Sequence, residues 1–401
     1  MNIFKKFYCR VFQGCFRLVL PILPYGEPII KDSVLQIKDV LKENNIDNAL
    51  IVTDKSLRAL KLTEELEKDL SEAGIKFAIY DDVIPNPTIE NIENGKVVYE
   101  SNACAAIIAF GGGSVMDCAK MIGARVSNQG KTVAQMKGLL KVKHKLPLLI
   151  AIPTTAGTGS ETTLTAVITD GVTHHKYTIN DFNLIPKYAV LDKALTLNLP
   201  PHLTATTGMD ALTHAIEAFI GRSTTKFTRR CALDACRLVF ENLPKVYENG
   251  KNEDARRAML KASYLAGLAF SRSYVGYIHA VAHSLGGKYG TAHGLANAVI
   301  MPHVLELYGK KCEKKLKIIA DYCGLSCQGD NESTSAKKVI DKIKELNAKF
   351  GIPHEFDFIQ VEDIEEMSKH ADKEANPLYP VPVLMDAKEL ETIYYKVKGN
   401  N

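Results

Sequence analysis

Five residues set the chemistry open to this chain: Asp210 and His214, His279 and His283, and His293. The first two are four apart in a segment whose apolar residues (Met209, Leu212, Ala215, Ile216, Phe219) recur at helical spacing. Their side chains therefore leave one helix face about one turn apart and can chelate one ion. His279 and His283 repeat the spacing on a second predicted helix. His293 follows behind Gly286, Gly287 and Gly290, which let the chain turn back. One carboxylate with imidazoles suits a divalent first-row metal, Zn²⁺ or Fe²⁺, better than Ca²⁺ or Mg²⁺, which take oxygen shells. Taken singly, an Asp/His pair at this spacing is an ordinary capping or surface pair; the concentration of five such residues in two segments is what points to a metal.

These residues need elements to hold them, and the first half of the chain supplies a different kind of element from the second. Asn48 to Thr53 reads as a short buried strand ending at Asp54, a carboxylate placed either to bind ribose hydroxyls and repel a 2′-phosphate or to cap the next helix. Val34 to Glu43 and Leu57 to Ala73 have helical periodicity, Lys76 to Tyr80 reads as a strand, and Pro85 to Thr88 as a rigid turn. Cys104 to Phe110 is a strand of small and β-branched residues running into Gly111-Gly112-Gly113-Ser114, with a helix from Val115. Strand, glycine turn and helix aim backbone N–H groups and a helix dipole at a phosphate, although such a turn is also compatible with a plain flexible loop. It is neither G-x-G-x-x-G, since Met116 stands where the third glycine belongs, nor a Walker loop. Leu148 to Ile152 then leads into Pro153-Thr-Thr-Ala-Gly-Thr-Gly-Ser-Glu161, again dense in donors. Two such loops after consecutive strands predict a nucleotide crevice at the carboxyl edge of a parallel sheet. Thr163 to Thr169 and Ala189 to Leu191 complete the strand-like runs, with Lys176 between them as a candidate cation for phosphate or ribose.

Beyond Pro200-Pro201 the strand-like runs largely disappear and helical windows follow one another: 207–221, 226–247, 252–270, 277–289, 294–308, 311–322, 334–349 and 386–397. The predicted organisation is a leader and first strand over 1–24, with Arg17 to Ile22 as that strand, an α/β dinucleotide-binding domain over 25–200 and an all-helical metal-binding domain over 201–401. A cofactor held by the first half is expected to meet the metal across the cleft between the domains.

Composition narrows the partners. The 401 residues are 46% hydrophobic and 24% charged, and 50 basic against 46 acidic residues leave a net charge of +4, too balanced to argue for nucleic acid or a membrane. Nine cysteines, an odd number scattered along the chain, fit reduced thiols in a cytoplasmic protein. Near the N-terminus Lys5 and Lys6 precede apolar residues, but Arg10, Arg17, Pro21 and Pro24 interrupt any signal-like or membrane-spanning run. Residues 1–16 are nonetheless more apolar than a free tail, and packing on a partner subunit is the expectation for them.

Four stretches together carry a family likeness: Phe110 to Lys120 (FGGGSVMDCAK), Pro153 to Glu161, Gly208 to Ala218 (GMDALTHAIEA), and His279-x3-His283-x9-His293-Gly294. In this order they closely resemble the iron-containing, group III alcohol dehydrogenases, and the match runs from about Tyr25 to Val397. The resemblance implies a dehydroquinate synthase-like architecture in which Asp210, His214, His279 and His293 hold the metal and His283 stands beside it as a proton relay. It implies that Asp54 contacts the adenine ribose, favouring NAD over NADP, and that Asn86, Gly112, Gly113, Ser114, Asp117, Thr154, Thr155, Thr158 and Lys176 contact the cofactor. Thr165 and Phe270 are implied in the substrate pocket, although Phe270 equally reads as core packing.

The activity implied is hydride transfer between NAD(H) and a small primary alcohol or aldehyde, as in fermentation, with the metal as Lewis acid on the substrate oxygen. Fe²⁺ is the implied metal and Zn²⁺ the alternative, and a homo-oligomer is expected. A polyol or hydroxyacid dehydrogenase, or a lyase of the dehydroquinate synthase type, shares the architecture. A non-catalytic paralogue would be expected to lose a ligand or a glycine loop, and all are present.

Overall fold

The computed structural model describes residues 1–171 and 176–399, with the side chain of Lys176 also outside the described part. Contacts divide it into two compact units, Pro24–Leu199 and a second made of Pro200–Asn401 together with Met1–Leu23.

The first unit is built on strands β1 (Ile29–Lys31), β2 (Asn48–Val52), β3 (Lys76–Tyr80), β4 (Ala106–Gly111), β5 (Gly138–Leu139), β6 (Leu148–Pro153), β7 (Thr165–Thr169), β8 (Lys176–Asn180) and β9 (Tyr188–Val190). Six of them form a parallel sheet in the order β1-β9-β6-β4-β2-β3. Alternate residues of each central strand enter opposite cores. Leu50, Val52, Ile107, Ala109, Leu149 and Ala151 face one side, and Ala49, Ile51, Ala106, Ile108, Ile150 and Ile152 the other. That two-sided burial is why these strands read in sequence as nearly unbroken apolar runs. From β2 the chain steps outward to β3 and then returns past β2 to β4, so the strand order reverses between β2 and β4, where Asp54 and the glycine turn emerge. β4 and β6 are in register to their ends, with Gly111 opposite Pro153, so the glycine and threonine loops leave the sheet side by side. A smaller sheet, β5-β8-β7, flanks them.

The second unit is helical. Its main helices are Pro201–Ile220, Lys226–Glu248, Glu253–Ser273, Tyr277–Tyr289, His293–Tyr308, Lys310–Tyr322, Glu332–Lys349, Val361–Ala375 and Ala387–Val397. Local chemistry sets several ends. Pro201 sits at the first helical position, Thr225 and Thr228 form a capping box, Asn252 caps the third helix, and left-handed Gly290 closes the fourth.

Three expectations are corrected. Arg17 to Ile22 is not a strand: Ile3–Val19 is a helix capped by Asn2, followed by a 3-10 turn at Leu20–Ile22, and it buries Cys9, Gln13 and Leu20 on the helical unit. The first strand is instead β1. Leu57 to Ala73 is two short helices, Lys55–Ala59 and Glu64–Glu72, because the chain breaks at Lys61, whose φ is +59°. Val361–Ala375 is a helix the apolar count passed over, because its buried stripe (Ile364, Met367, Ser368, Ala371, Ala375) is made partly of serine and alanine. None of the nine cysteines is in a disulfide, and among the described residues no helix is long and apolar enough to cross a membrane.

Candidate metal centre and cofactor loops

Asp210 and His214 project from the helix Pro201–Ile220, His279 from Tyr277–Tyr289, and His293 is the first residue of His293–Tyr308. One ligand atom from each of the four lies within 4.8 Å of all the others. Asp210 Oδ1 stands 3.4 Å from His293 Nε2 and 3.9 Å from His279 Nε2. His279 Nε2 is buried and makes no hydrogen bond. A buried ring nitrogen aimed at a carboxylate and two further imidazoles, with nothing donating to it, fits a metal-ligand position.

The tautomer of His279 is fixed from behind. Its Nδ1–H donates to Glu217 Oε2 at 2.6 Å, and the same carboxylate accepts the N–H groups of Gly276 at 2.8 Å and Ile278 at 2.9 Å. Burial pushes the Glu217 carboxyl up to about 7, while these N–H donors favour its ionised form. Burial first, then the neighbouring His214, His293 and His283, holds His279 well below the usual imidazole range, leaving it in the neutral form that binds metal. Asn297, one turn beyond His293, donates to Asp210 Oδ1 at 2.7 Å and lies 3.1 Å from His293 Nε2. The two helices carrying these residues cross closely at Gly294, where a Cβ would fall 2.4 Å from the Thr206 carbonyl oxygen.

His283 lies outside the four-residue cluster. Its Nδ1 meets Glu374 Oε1 at 2.7 Å, and its ring stacks near His293, with centroids 5.1 Å apart. Burial pushes Glu374 up, but the charge and hydrogen bond of His283 and the Tyr379 hydroxyl outweigh it and hold the carboxyl below its usual range. Its side chain is 39% exposed, so the imidazole can exchange protons with solvent. Phe270 stacks on the His214 ring, with centroids 4.1 Å apart and planes 14° from parallel.

In the first unit the two loops close on each other. A Cβ on Gly113 would meet Thr158 at 3.1 Å, and one on Gly111 would strike Val115 at 2.6 Å, so glycine is what lets this turn form. Gly112 caps the helix Gly113–Ser127, leaving that helix's first N–H groups directed outward. Thr154 N–H donates to the Gly111 carbonyl, and Thr155 lies beside Gly112. Asn86, at φ +57°, donates its N–H to Ser114 Oγ at 3.3 Å. Asp54 caps the helix Lys55–Ala59 through Leu57 N–H at 3.0 Å, so the capping reading is realised and one oxygen is left over for a ligand. Lys176 opens β8, but its side chain lies outside the described residues.

Two of the implied contacts have other work in the structure. Asp117 uses both oxygens inside the fold, accepting from Ser160 Oγ at 2.8 Å and from Val167 N–H at 3.0 Å. Thr165 donates to Asn180 Oδ1 at 2.6 Å in the small sheet and belongs to a different unit from Phe270. Beneath the loops, buried Lys120 donates to Ser160 Oγ, Thr163 Oγ1 and the Thr165 carbonyl at 2.8–2.9 Å. Burial lowers its amine to about 8. Nearby Glu161 is buried with both oxygens unpartnered, and burial raises it to about 7.

Glu217, Asn297, Glu374 and Lys120 carry no role in the sequence reading. Glu217 was within reach of it, being one turn beyond His214 on the ligand face of an otherwise apolar helix, and Asn297 is one turn beyond His293. Glu374 gave no such signal, because it comes from the overlooked helix far along the chain.

Comparison with known proteins agrees with this geometry. Residues 29–193 match the model for "Iron-containing alcohol dehydrogenase" and residues 204–397 that for "Fe-containing alcohol dehydrogenase family, C-terminal". The chain is 37% identical over 351 residues to the NAD-dependent methanol dehydrogenase of Bacillus methanolicus, covering 87% of this chain and 92% of that protein. It is 40% identical over 332 residues to the 1,3-propanediol dehydrogenase of Klebsiella pneumoniae, covering 82% and 86%. The solved alcohol dehydrogenase from Oenococcus oeni superposes with a TM-score of 0.89 at 32% identity, covering 93% of this chain and 100% of that one. The chain belongs to the iron-containing alcohol dehydrogenase family. By family it is an alcohol dehydrogenase, and its Asp/His cluster is placed where a metal ion could be held.

Proposed function

We propose that this enzyme interconverts a short primary alcohol and its aldehyde, with Asp210, His214, His279 and His293 holding Fe²⁺ and His283 moving the proton. The observation that carries the reading is the four-residue cluster with the Nδ1–H of His279 tied to Glu217, which leaves Nε2 turned toward the other ligands. When bound, the ion supplies Lewis-acid polarisation of the substrate oxygen and the nicotinamide takes or returns hydride. The protein's own part is positional and protonic. Glu217 and Asn297 hold three of the ligand side chains in one orientation, so the site is set before a substrate arrives. Phe270 keeps one face of His214 dry and fixes its plane. His283, half open to solvent and oriented by Glu374, passes a proton to or from the substrate oxygen directly or through water.

In the other unit, Gly112, Gly113, Ser114, Thr154, Thr155 and Thr158 cradle the diphosphate, and Asn86 positions Ser114. Asp54 accepts from the adenine ribose and disfavours a 2′-phosphate. Lys176 serves the cofactor's phosphate or ribose. Asp117 acts through the loop it braces. The domain boundary at Pro200, a cytoplasmic location and a homo-oligomeric state belong to the same reading. The names of the methanol and propanediol relatives favour short substrates, so a diol is the second candidate.

The test is metal analysis of anaerobically purified protein together with NADH oxidation over C2–C6 aldehydes, hydroxyaldehydes and polyol-derived ketones. Turnover of short aldehydes with iron bound is expected; turnover confined to ketones, or full activity without metal, would overturn the proposal. Asp54→Gly is expected to relax the discrimination against NADPH, and an unchanged ratio removes that role from Asp54.

A further inference from the structure

The helix Ile3–Val19 precedes the region matched by the family models, which begins at residue 29. Its inner face is firmly held. Cys9 is buried, Arg10 donates to the carbonyls of Val381 and Pro382 at 2.8 and 2.9 Å, and Gln13 donates to those of Pro377 and Tyr379. Ser223 Oγ closes the contact by donating to the Gln13 carbonyl. The helix is therefore seated on its own unit, and its outer face is not waiting for a place there.

That outer face is apolar and open: Phe4 is 83% exposed, Phe7 70% and Leu18 80%, with Val11 among them, Ile3 at the edge of the arc and Ile22 exposed beyond the helix end. At about 100° per residue these side chains, with Tyr8 and Phe12, span roughly half the helix circumference, broader than the narrow seam of a paired coiled coil. Exposed Lys6 and Arg17 lie along one flank, and residues 1–24 contain four basic residues and no acidic one. Lys5 is neutralised by Asp372 at 2.8 Å.

We propose that this face docks the protein peripherally on an anionic lipid surface, with the aromatic and aliphatic side chains entering the headgroup boundary and Lys6 and Arg17 meeting lipid phosphates. An aromatic apolar arc flanked by cations on a seated helix is the composition that lies in a membrane interface without crossing it. A second copy laid parallel on the same face fits less well, because it would set Lys6 and Arg17 against their like.

The test is co-sedimentation of the full-length enzyme with phosphatidylcholine vesicles, with and without phosphatidylglycerol, at low and raised salt. Binding is expected to the anionic vesicles alone and to weaken as salt rises. Phe7→Asp/Leu18→Asp and, separately, Arg17→Glu should each reduce it about tenfold or more while aldehyde reduction persists, since neither touches the metal centre. No sedimentation with anionic vesicles, or equal sedimentation of wild type and both variants, overturns the proposal. So does a wild type that ignores vesicles but whose oligomer falls apart in Phe7→Asp/Leu18→Asp by sedimentation velocity, which would assign the face to a second copy.

Discussion

His279 and Glu217 are joined at 2.6 Å, Nδ1 to Oε2, with both side chains 2% exposed. Two histidines a helical turn apart, His279 and His283, are thereby given different work: one is locked by a buried carboxylate with its other nitrogen facing the ligand cluster, and the other is held by Glu374 near solvent.

Replacing Glu217 with glutamine keeps the shape but removes the charge that orients His279. Iron affinity should fall by about 10–100-fold, the usual effect of losing an orienting partner. Competition with a chelator measures it; unchanged affinity would mean that helix packing alone orients the ring.

Gly294→Ala places a methyl group 2.4 Å from the Thr206 carbonyl, between the helices that carry Asp210 and His293. The helices must separate, with a cost of about 1–3 kcal/mol and a loss of bound iron. Thermal melts of iron-loaded and iron-free protein distinguish the two effects, since the loaded form should lose more.

His283→Gln should retain iron while slowing turnover by about 100-fold or more. A variant that loses its iron would instead make His283 a structural support of the cluster.

Glu161 titrates against folding. Its folded-state carboxyl is raised to about 7 from an ordinary 4.5 by burial, so between those values the native state keeps a proton that the unfolded chain has released. Stability from this group is therefore present at low pH and lost as pH rises through that window. Lys120, lowered to about 8 by burial, acts in the other sense, its penalty easing as pH rises from about 8 toward 10.5. Glu161→Gln should gain on wild type by a few kcal/mol, order of magnitude, between about pH 5 and about pH 8, as read by thermal or urea denaturation. Parallel stability curves for the two proteins would contradict this.

Where the sequence was readable, the reason was periodicity or spacing. β2, β4 and β6 announce themselves because both faces are buried, and the Asp210–His214 pair because one helical turn is a fixed length. The end of Ile3–Val19 read as a strand because Leu18, Val19 and Leu20 form an unbroken apolar run, while the helix's apolar arc faces outward and its seated face carries Arg10 and Gln13. Glu374 stayed hidden because its helix buries small residues, and the family likeness that implies a cofactor contact for Asp117 carries no sign of the two hydrogen bonds by which Asp117 braces the loop. Partners such as Lys120 with Ser160 depend on tertiary contact and have no local mark.

The ligand set has a mechanical consequence. His214 and His279 lie on different helices with Lys226–Glu248 and Glu253–Ser273 between them, so an ion gripped by both acts as a removable cross-link over that whole stretch. Because the ion binds the folded ligand set and is released by the unfolded chain, its binding free energy adds to the stability of that stretch. Chelation should accordingly expose the intervening helices to proteolytic nicking before the α/β unit is cut, and readdition of iron should restore resistance. Protease sensitivity would then report whether the enzyme is charged with metal.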